Sequence, residues 1–375
     1  MLTYHNVRYR TLSILPPFAT LCDHTDITVP HRRAGIEEGP TRRMSFSRRR
    51  IRIESPARLH LGFVDLNGDL GRRFGSLGLA LEELSTTVVA EPSNDLHVRG
   101  DGAARAREYA LGTLQALDLP SELTLTVENA IPVHAGLGSG TQLALAVSAA
   151  IADSFGWDRN IRELARVTGR GRRSGIGIGV FEVGGFVMDG GRAEDTVIPP
   201  LLARFDFPDE WRVILVRDSE HQGLSGTAEI SAFESIAPMA RETAAELCRL
   251  TLMGIFPALA ERNFASFSRH IAALQTVVGE YFGPSQGGPF TSSDVAEVTR
   301  WVRSTHQLCG VGQTSWGPTG FLFVDSEPRA GKLLDALRDR YAGVPGLRFS
   351  VHRGRNRGAE RGCIAGSDAA TMAGG

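Results

Sequence analysis

The chain has 375 residues, long enough for two domains with full cores, and with 42% hydrophobic and 22% charged residues it reads as an ordinary globular protein. A formal net charge of -1 argues against a nucleic-acid surface. The basic residues are arginines except for Lys332, which excludes a lysine nucleophile elsewhere, and the four cysteines (Cys22, Cys248, Cys309, Cys363) show no paired spacing that would predict a zinc site or a disulfide framework.

No apolar run reaches the ~18 residues needed to span a bilayer, and no signal peptide is visible, so a cytoplasmic enzyme without a membrane partner is expected. Residues 1–45 are interrupted by Pro16-Pro17, Pro30 and Gly39-Pro40 and sustain no apolar period. They read as a disordered extension, with Met44 a candidate natural start. Residues 51–56 and 57–63 then predict two strands joined by a turn, Asn67-Gly68 a tight turn, residues 72–78 a glycine-rich bend, and residues 86–91 a strand. Arg58 and His60 lie two apart, so a strand projects both from one face, where a pair of cations could hold an anionic substrate or stand as a solvated edge pair. Residues 103–117 predict a helix closing before Pro120.

The most informative stretch follows. Residues 123–127 alternate as a half-buried strand does, and the Ala/Leu-rich run 142–151 favours a helix. Between them Gly136, Leu137, Gly138, Ser139, Gly140 and Thr141 crowd a strand-to-helix junction. Glycines there let the backbone take positive φ and turn successive N–H groups toward one anion, and the following helix aims its positive end at the same place. Ser139 and Thr141 add hydroxyl donors or metal-bound oxygens. A tight connection with no ligand has the same outline, but the Gly-x-Gly-x-Gly spacing and the missing lysine set the stretch apart from dinucleotide and Walker loops.

A short helix over residues 160–167 leads into Gly169-Arg170-Gly171-Arg172-Arg173-Ser174-Gly175, a permanently cationic loop whose guanidinium forks suit phosphate or carboxylate oxygens. The second half predicts a buried strand over 211–217, a loop at 221–226, and helices over 228–237, 243–259, 264–278 and 293–305. Another glycine-rich turn, Gly310 to Gly320, carries Gln313, Ser315 and Trp316 and runs into a strand at 321–325. A helix over 328–341, a strand over 347–352 and a solvated arginine-rich tail from 353 complete the expected order.

Pro132-x-x-Ala135-Gly136-Leu137-Gly138-Ser139-Gly140 resembles the second motif of the small-molecule kinase superfamily that includes galactokinase, homoserine kinase and mevalonate kinase. That resemblance implies an α+β, two-domain GHMP-kinase-like fold: a ribosomal-S5-domain-2-like α/β domain over residues 46–205, a ferredoxin-like α+β domain over 206–358, and a tail over 359–375. The aspartate such kinases carry after the Ser-Gly pair of the third motif is replaced here by Gly177, so the phosphate cradle is kept without the expected base. The strings Ala57-Arg58-Leu59-His60-Leu61-Gly62-Phe63, Gly169 to Gly177, Phe186 to Gly191, Gln286-Gly287-Gly288 and Gly310-Val311-Gly312-Gln313-Thr314-Ser315-Trp316-Gly317-Pro318 resemble the β-ribofuranosylaminobenzene 5′-phosphate synthase family of the same superfamily, over about residues 51–357.

The resemblance implies a decarboxylating transfer from phosphoribosyl pyrophosphate to 4-aminobenzoate, with Mg²⁺, in tetrahydromethanopterin biosynthesis, by a homodimer. On it, Arg58, His60, Arg172, Arg173 and Gln313 are expected in catalysis, and Gly136 to Thr141, Arg170 and Ser174 on phosphate. Ser315 and Trp316 are expected on the aromatic substrate, and Ser139 and Thr141 on the metal, with Asp65, Glu163 and Asp189 as further candidate ligands. An ATP-dependent small-molecule kinase and a non-catalytic anion sensor of the same fold stand as alternatives.

Overall fold

A computed structural model describes residues 50–157, 160–221, 233, 236–307, 310–315 and 317–364, all within one compact unit, Met44–Gly375. Two long strands lead, β1 (Arg50–Asp65) and β2 (Phe74–Pro92), paired antiparallel along their length. The turn expected near Pro56 and the glycine-rich bend expected over residues 72–78 are largely absorbed into these strands, with register shifts at Pro56/Ala57 and His60/Gly62. A bulge adds a residue and twists a strand without ending it, which periodicity alone does not distinguish from a turn. The first shift pushes Glu82 and Glu83 of β2 out toward the C-terminal segment.

After β3 (His97–Gly100) and α1 (Ala103–Ala116), β4 (Leu123–Asn129) pairs with β2 and runs parallel to β3. Then come α2 (Ser139–Ser154), α3 (Ile161–Val167), α4 (Ile176–Val183), β5 (Phe186–Asp189) and β6 (Leu201–Phe205), with β5 pairing the first half of β2. The apolar run of α2 is buried on all sides because the sheet, α1, α3 and α4 enclose it. Asn160 caps α3 by accepting from Arg162 N at 2.9 Å.

A second, antiparallel sheet has the order β10-β7-β9-β8, from β7 (Arg212–Asp218), β8 (Val311–Gln313), β9 (Thr319–Val324) and β10 (Leu347–His352). Its helices are α5 (Arg241–Leu250), continued through a π-turn at Thr251–Ile255 into α6 (Phe256–Ala260), then α7 (Phe264–Gln286), α8 (Ser293–His306) and α9 (Glu327–Arg340). The stretch Arg241–Ala260 is long and apolar enough to cross a bilayer, yet it carries Glu246 and Arg249 and buries Ala244, Leu247, Ile255 and Leu259 in the core. The helix expected over 228–237 falls largely outside the described residues.

The chain passes from one sheet to the other between β6 and β7, but the packing does not stop there. One cluster joins Leu59, Leu61, Leu77 and Leu79 of the first sheet to Val213, Leu215, Phe321 and Phe323 of the second and Phe267, Ile271 and Leu274 of α7. Burying that much aromatic and aliphatic surface fixes the two sheets against each other.

The segment expected as a solvated tail returns to the first sheet as β11 (Glu360–Ile364), antiparallel to β1. Arg355 is buried with its guanidinium on Glu54 (3.3 Å), Glu82 (3.4 Å) and Glu360 (3.2 Å). Three carboxylates make that burial tolerable, and none of them is near Arg355 in sequence except Glu360.

Candidate active site

The glycine loop bends through left-handed residues, Gly136 at φ 73° and Gly138 at φ 82°. Space demands glycine as well, since a Cβ on Gly136 would lie 2.6 Å from Thr314 O and one on Gly138 2.8 Å from Arg58 Cγ. Arg58 anchors the loop from β1: its N–H donates to Leu137 O at 3.1 Å and its Nη1 to Gly136 O at 2.6 Å. Gly138 caps α2, accepting from Thr141 N and Gln142 N. Ser139 N and Gly140 N then have no acceptor among the described residues, and no acidic side chain occupies the first turn of α2. Two backbone donors and the positive helix end therefore face outward where an anion would sit.

Thr314 holds this loop to the second sheet. Its buried hydroxyl accepts from His60 N at 2.9 Å and donates to Gly136 O at 3.0 Å, while Ser315 N donates to His60 O at 3.2 Å. His60 differs from the expected cation. Burial, with the Arg58 guanidinium beside it, holds the imidazole well below the usual histidine range, and Gly62 N donates to its Nδ1 at 3.2 Å. A ring that accepts at Nδ1 is neutral and carries its proton on Nε2, a donor rather than a positive charge.

The three arginines of the cationic loop separate. Arg170 stacks on Tyr109 of α1, its guanidinium carbon 4.9 Å from the ring centroid and its Nη2 bonded to the phenol oxygen, close to Gly140. Arg172 is exposed, its carbonyl accepting from Arg192 Nη1. Arg173 lies 4.9 Å above the Phe233 ring, which packs edge-on against Phe63. Ser174 turns inward to Asp189, whose buried carboxylate also accepts from Gly175 N (2.9 Å) and Gly191 N (2.8 Å). Burial pushes that carboxyl up, against the pull of these donors. Asp189 thus braces the start of α4.

Beside His60 a cavity opens with Phe63, Val278, Phe282, Pro289 and Phe290 as apolar walls and Gln275, Gln286, Gln313 and Ser315 as polar ones. Its amides are locked. Gln313 Oε1 accepts from Thr291 N at 2.7 Å, and its Nε2 donates to Gln286 Oε1 and Ser315 O, both at 3.2 Å. Gln275 donates to Leu61 O and accepts from Gln313 N at 3.0 Å. Among the described residues, the polar groups of this lining left without a partner are mostly donors: His60 Nε2, one N–H each of Gln275 and Gln286, and the Ser315 hydroxyl, which can donate or accept.

The geometry brings Arg58, His60, the glycine loop, Gln313 and Ser315 around one cleft, with Arg170 at its α2 end and Arg173 behind its aromatic wall. Trp316 lies outside the described residues. Asp65 is spent on Asn67 N and Gly68 N, and no group of three His, Cys, Asp or Glu is assembled among the described residues. Ser139 and Thr141 supply two hydroxyls without a carboxylate, which does not amount to a resident Mg²⁺ site. Sequence reasoning named Thr314 and Phe63 within motif strings but gave them no role, and it passed over Gln275, Phe282 and Phe290, because their partners are distant along the chain and their spacing looks like ordinary core.

Comparison with known proteins bears on this arrangement. The GHMP kinases N terminal domain family matches residues 103–189. Solved structures share the fold at low identity: a mevalonate 5-diphosphate decarboxylase (TM-score 0.62, 16% identical, 86% of this chain and 99% of that one) and a homoserine kinase from Cytophaga hutchinsonii (TM-score 0.56, 16% identical, 84% and 98%). Curated relatives named β-ribofuranosylphenol 5′-phosphate synthase, from Archaeoglobus fulgidus (32% identical over 83% of this chain and 99% of its own length) and Methanocaldococcus jannaschii (34%, 77% and 94%), extend over nearly their whole length. The protein has the α+β GHMP kinase fold and belongs to the β-ribofuranosylphenol 5′-phosphate synthase family of enzymes.

Proposed function

We propose that the protein transfers a ribosyl 5-phosphate group from phosphoribosyl pyrophosphate to a para-substituted benzoate, releasing CO₂ and pyrophosphate. The observation that carries this reading is a glycine loop with two outward backbone donors, joined through Thr314 to an aromatic-walled cavity. Departure of pyrophosphate leaves an oxocarbenium-like ribosyl carbon, so donors aimed at the leaving group, Ser139 N, Gly140 N and Arg170, favour the transition state. The ring carbon bearing the carboxylate then attacks, forming the new C–C bond. The bond to CO₂ breaks and its electron pair restores the aromatic ring.

No base is required for that sequence, which agrees with a neutral His60 and with glycine at position 177. A Cβ on Gly177 would lie 2.8 Å from Thr141 Cγ2, so the carboxylate of a kinase would fit there only if the Thr141 side chain shifted. This disfavours the alternative of ATP-dependent phosphorylation. Mg²⁺ belongs to this reading as a companion of the donor's diphosphate, as do a cytoplasmic homodimer and a role in tetrahydromethanopterin synthesis.

The relatives' names carry a phenol, and the cavity's surplus of donors favours a ring substituent that accepts hydrogen bonds. Oxygen does so better than an aniline nitrogen, whose lone pair is drawn into the ring. We therefore place 4-hydroxybenzoate ahead of 4-aminobenzoate. Donor-dependent release of labelled CO₂ from the two carboxyl-labelled acids tests this, with kcat/KM expected roughly 10-fold higher for the hydroxy acid, the worth of about one hydrogen bond. The opposite preference would reverse the assignment, and binding of the donor without any release would mark a sensor.

A further inference from the structure

We infer that Arg105 and Tyr109 of α1, with Arg170, form the subsite for the terminal phosphoryl group of the leaving diphosphate, an inference that rests on the reading above. At Gly140, three side-chain tips converge. A Cβ placed on that glycine would lie 3.8 Å from Arg170 Nη1, 3.8 Å from the Tyr109 hydroxyl and 4.0 Å from Arg105 Nη1. Neither arginine has a carboxylate partner among the described residues, although Arg355, Arg357, Arg212 and Arg162 all do. Arg170 Nε is buried without an acceptor. The Tyr109 oxygen accepts from Arg170, which leaves its own O–H to donate elsewhere.

Position along the loop assigns the phosphoryl group. Gly136 abuts Thr314 and the ring cavity, Gly138 abuts Arg58, and Gly140 abuts α1, so the Arg105 cluster stands at the end away from the cavity. The ribosyl carbon that reacts must lie at the cavity end. The terminal phosphoryl is the part of the leaving group farthest from that carbon, and it carries the larger negative charge, which two guanidinium groups match. The 5-phosphate hangs from the other side of the ribose.

Calorimetric titration of the full-length protein with inorganic pyrophosphate and, separately, with ribose 5-phosphate tests the assignment. Arg105→Ala should weaken pyrophosphate binding about 10- to 100-fold and Tyr109→Phe about 3- to 10-fold, as expected for charge-assisted and neutral hydrogen bonds, with ribose 5-phosphate binding unchanged. Arg107→Ala, the same charge change on the exposed side of α1, should alter neither, and thermal midpoints report whether each variant is folded. Loss of ribose 5-phosphate binding, equal loss of both ligands, unchanged pyrophosphate binding, or no pyrophosphate binding by the unmodified protein would overturn it. Arg105-dependent pyrophosphate binding in a protein that releases no CO₂ would keep the subsite and defeat only the reaction.

Discussion

His60 shows how a residue's chemistry departs from its type. Its spacing from Arg58 correctly places both on one face of β1, but no feature of spacing reveals that burial strips the imidazole of its charge. As pH falls below about 6.5, the unfolded chain takes up a proton at His60 that the folded chain refuses, so stability is lost toward acid. Between pH 7.5 and 5.5 this residue should account for a stability loss on the order of 1 kcal/mol. Urea unfolding at the two pH values should therefore show a smaller loss for His60→Gln than for the unmodified protein. An equal loss would mean that the folded imidazole titrates normally. Turnover, by contrast, should show no inflection from His60 between pH 6 and 8. The role of Thr314 was equally hidden, since the two partners of its hydroxyl lie 254 and 178 residues away.

At the scale of elements, the glycine loop and α2 were legible because glycine, the alternating strand before it and the apolar run after it all point to one junction. The long β1 and β2 were not, because their bulges carry the same Pro and Gly signals as turns. The loop's neighbour α4 also escaped notice, masked by its glycines. Yet Gly177 in α4 is where the two helices meet: its carbonyl accepts from Gln142 Nε2 at 2.9 Å, and its missing Cβ makes room for Thr141. Gly177→Asp should therefore destabilise the fold by about 1–3 kcal/mol, the usual cost of overpacking, and gain no ATP-dependent phosphorylation of small alcohols. A variant as stable as the parent that phosphorylates an alcohol would show that the kinase site is intact beneath.

For the whole molecule, the GHMP-like architecture was legible through the resemblance of the glycine motif to a known superfamily, while the return of β11 and the Arg355 network were not, because pairing between residue 355 and residues 54 and 82 leaves no local pattern. The shared core holds the second sheet, and with it Thr314 and the cavity, against the glycine loop of the first. The two halves thus bring a glycine loop with free backbone donors and an aromatic-walled cavity to one place, and the central claim is that they serve one decarboxylating transfer. Its most direct test is a time course that measures CO₂ and pyrophosphate together from phosphoribosyl pyrophosphate and carboxyl-labelled 4-hydroxybenzoate, with ATP replacing the donor in a parallel reaction. Equal amounts of both products, and neither in the ATP reaction, are predicted; pyrophosphate without CO₂, or phosphorylation of the acid's hydroxyl by ATP, would contradict it.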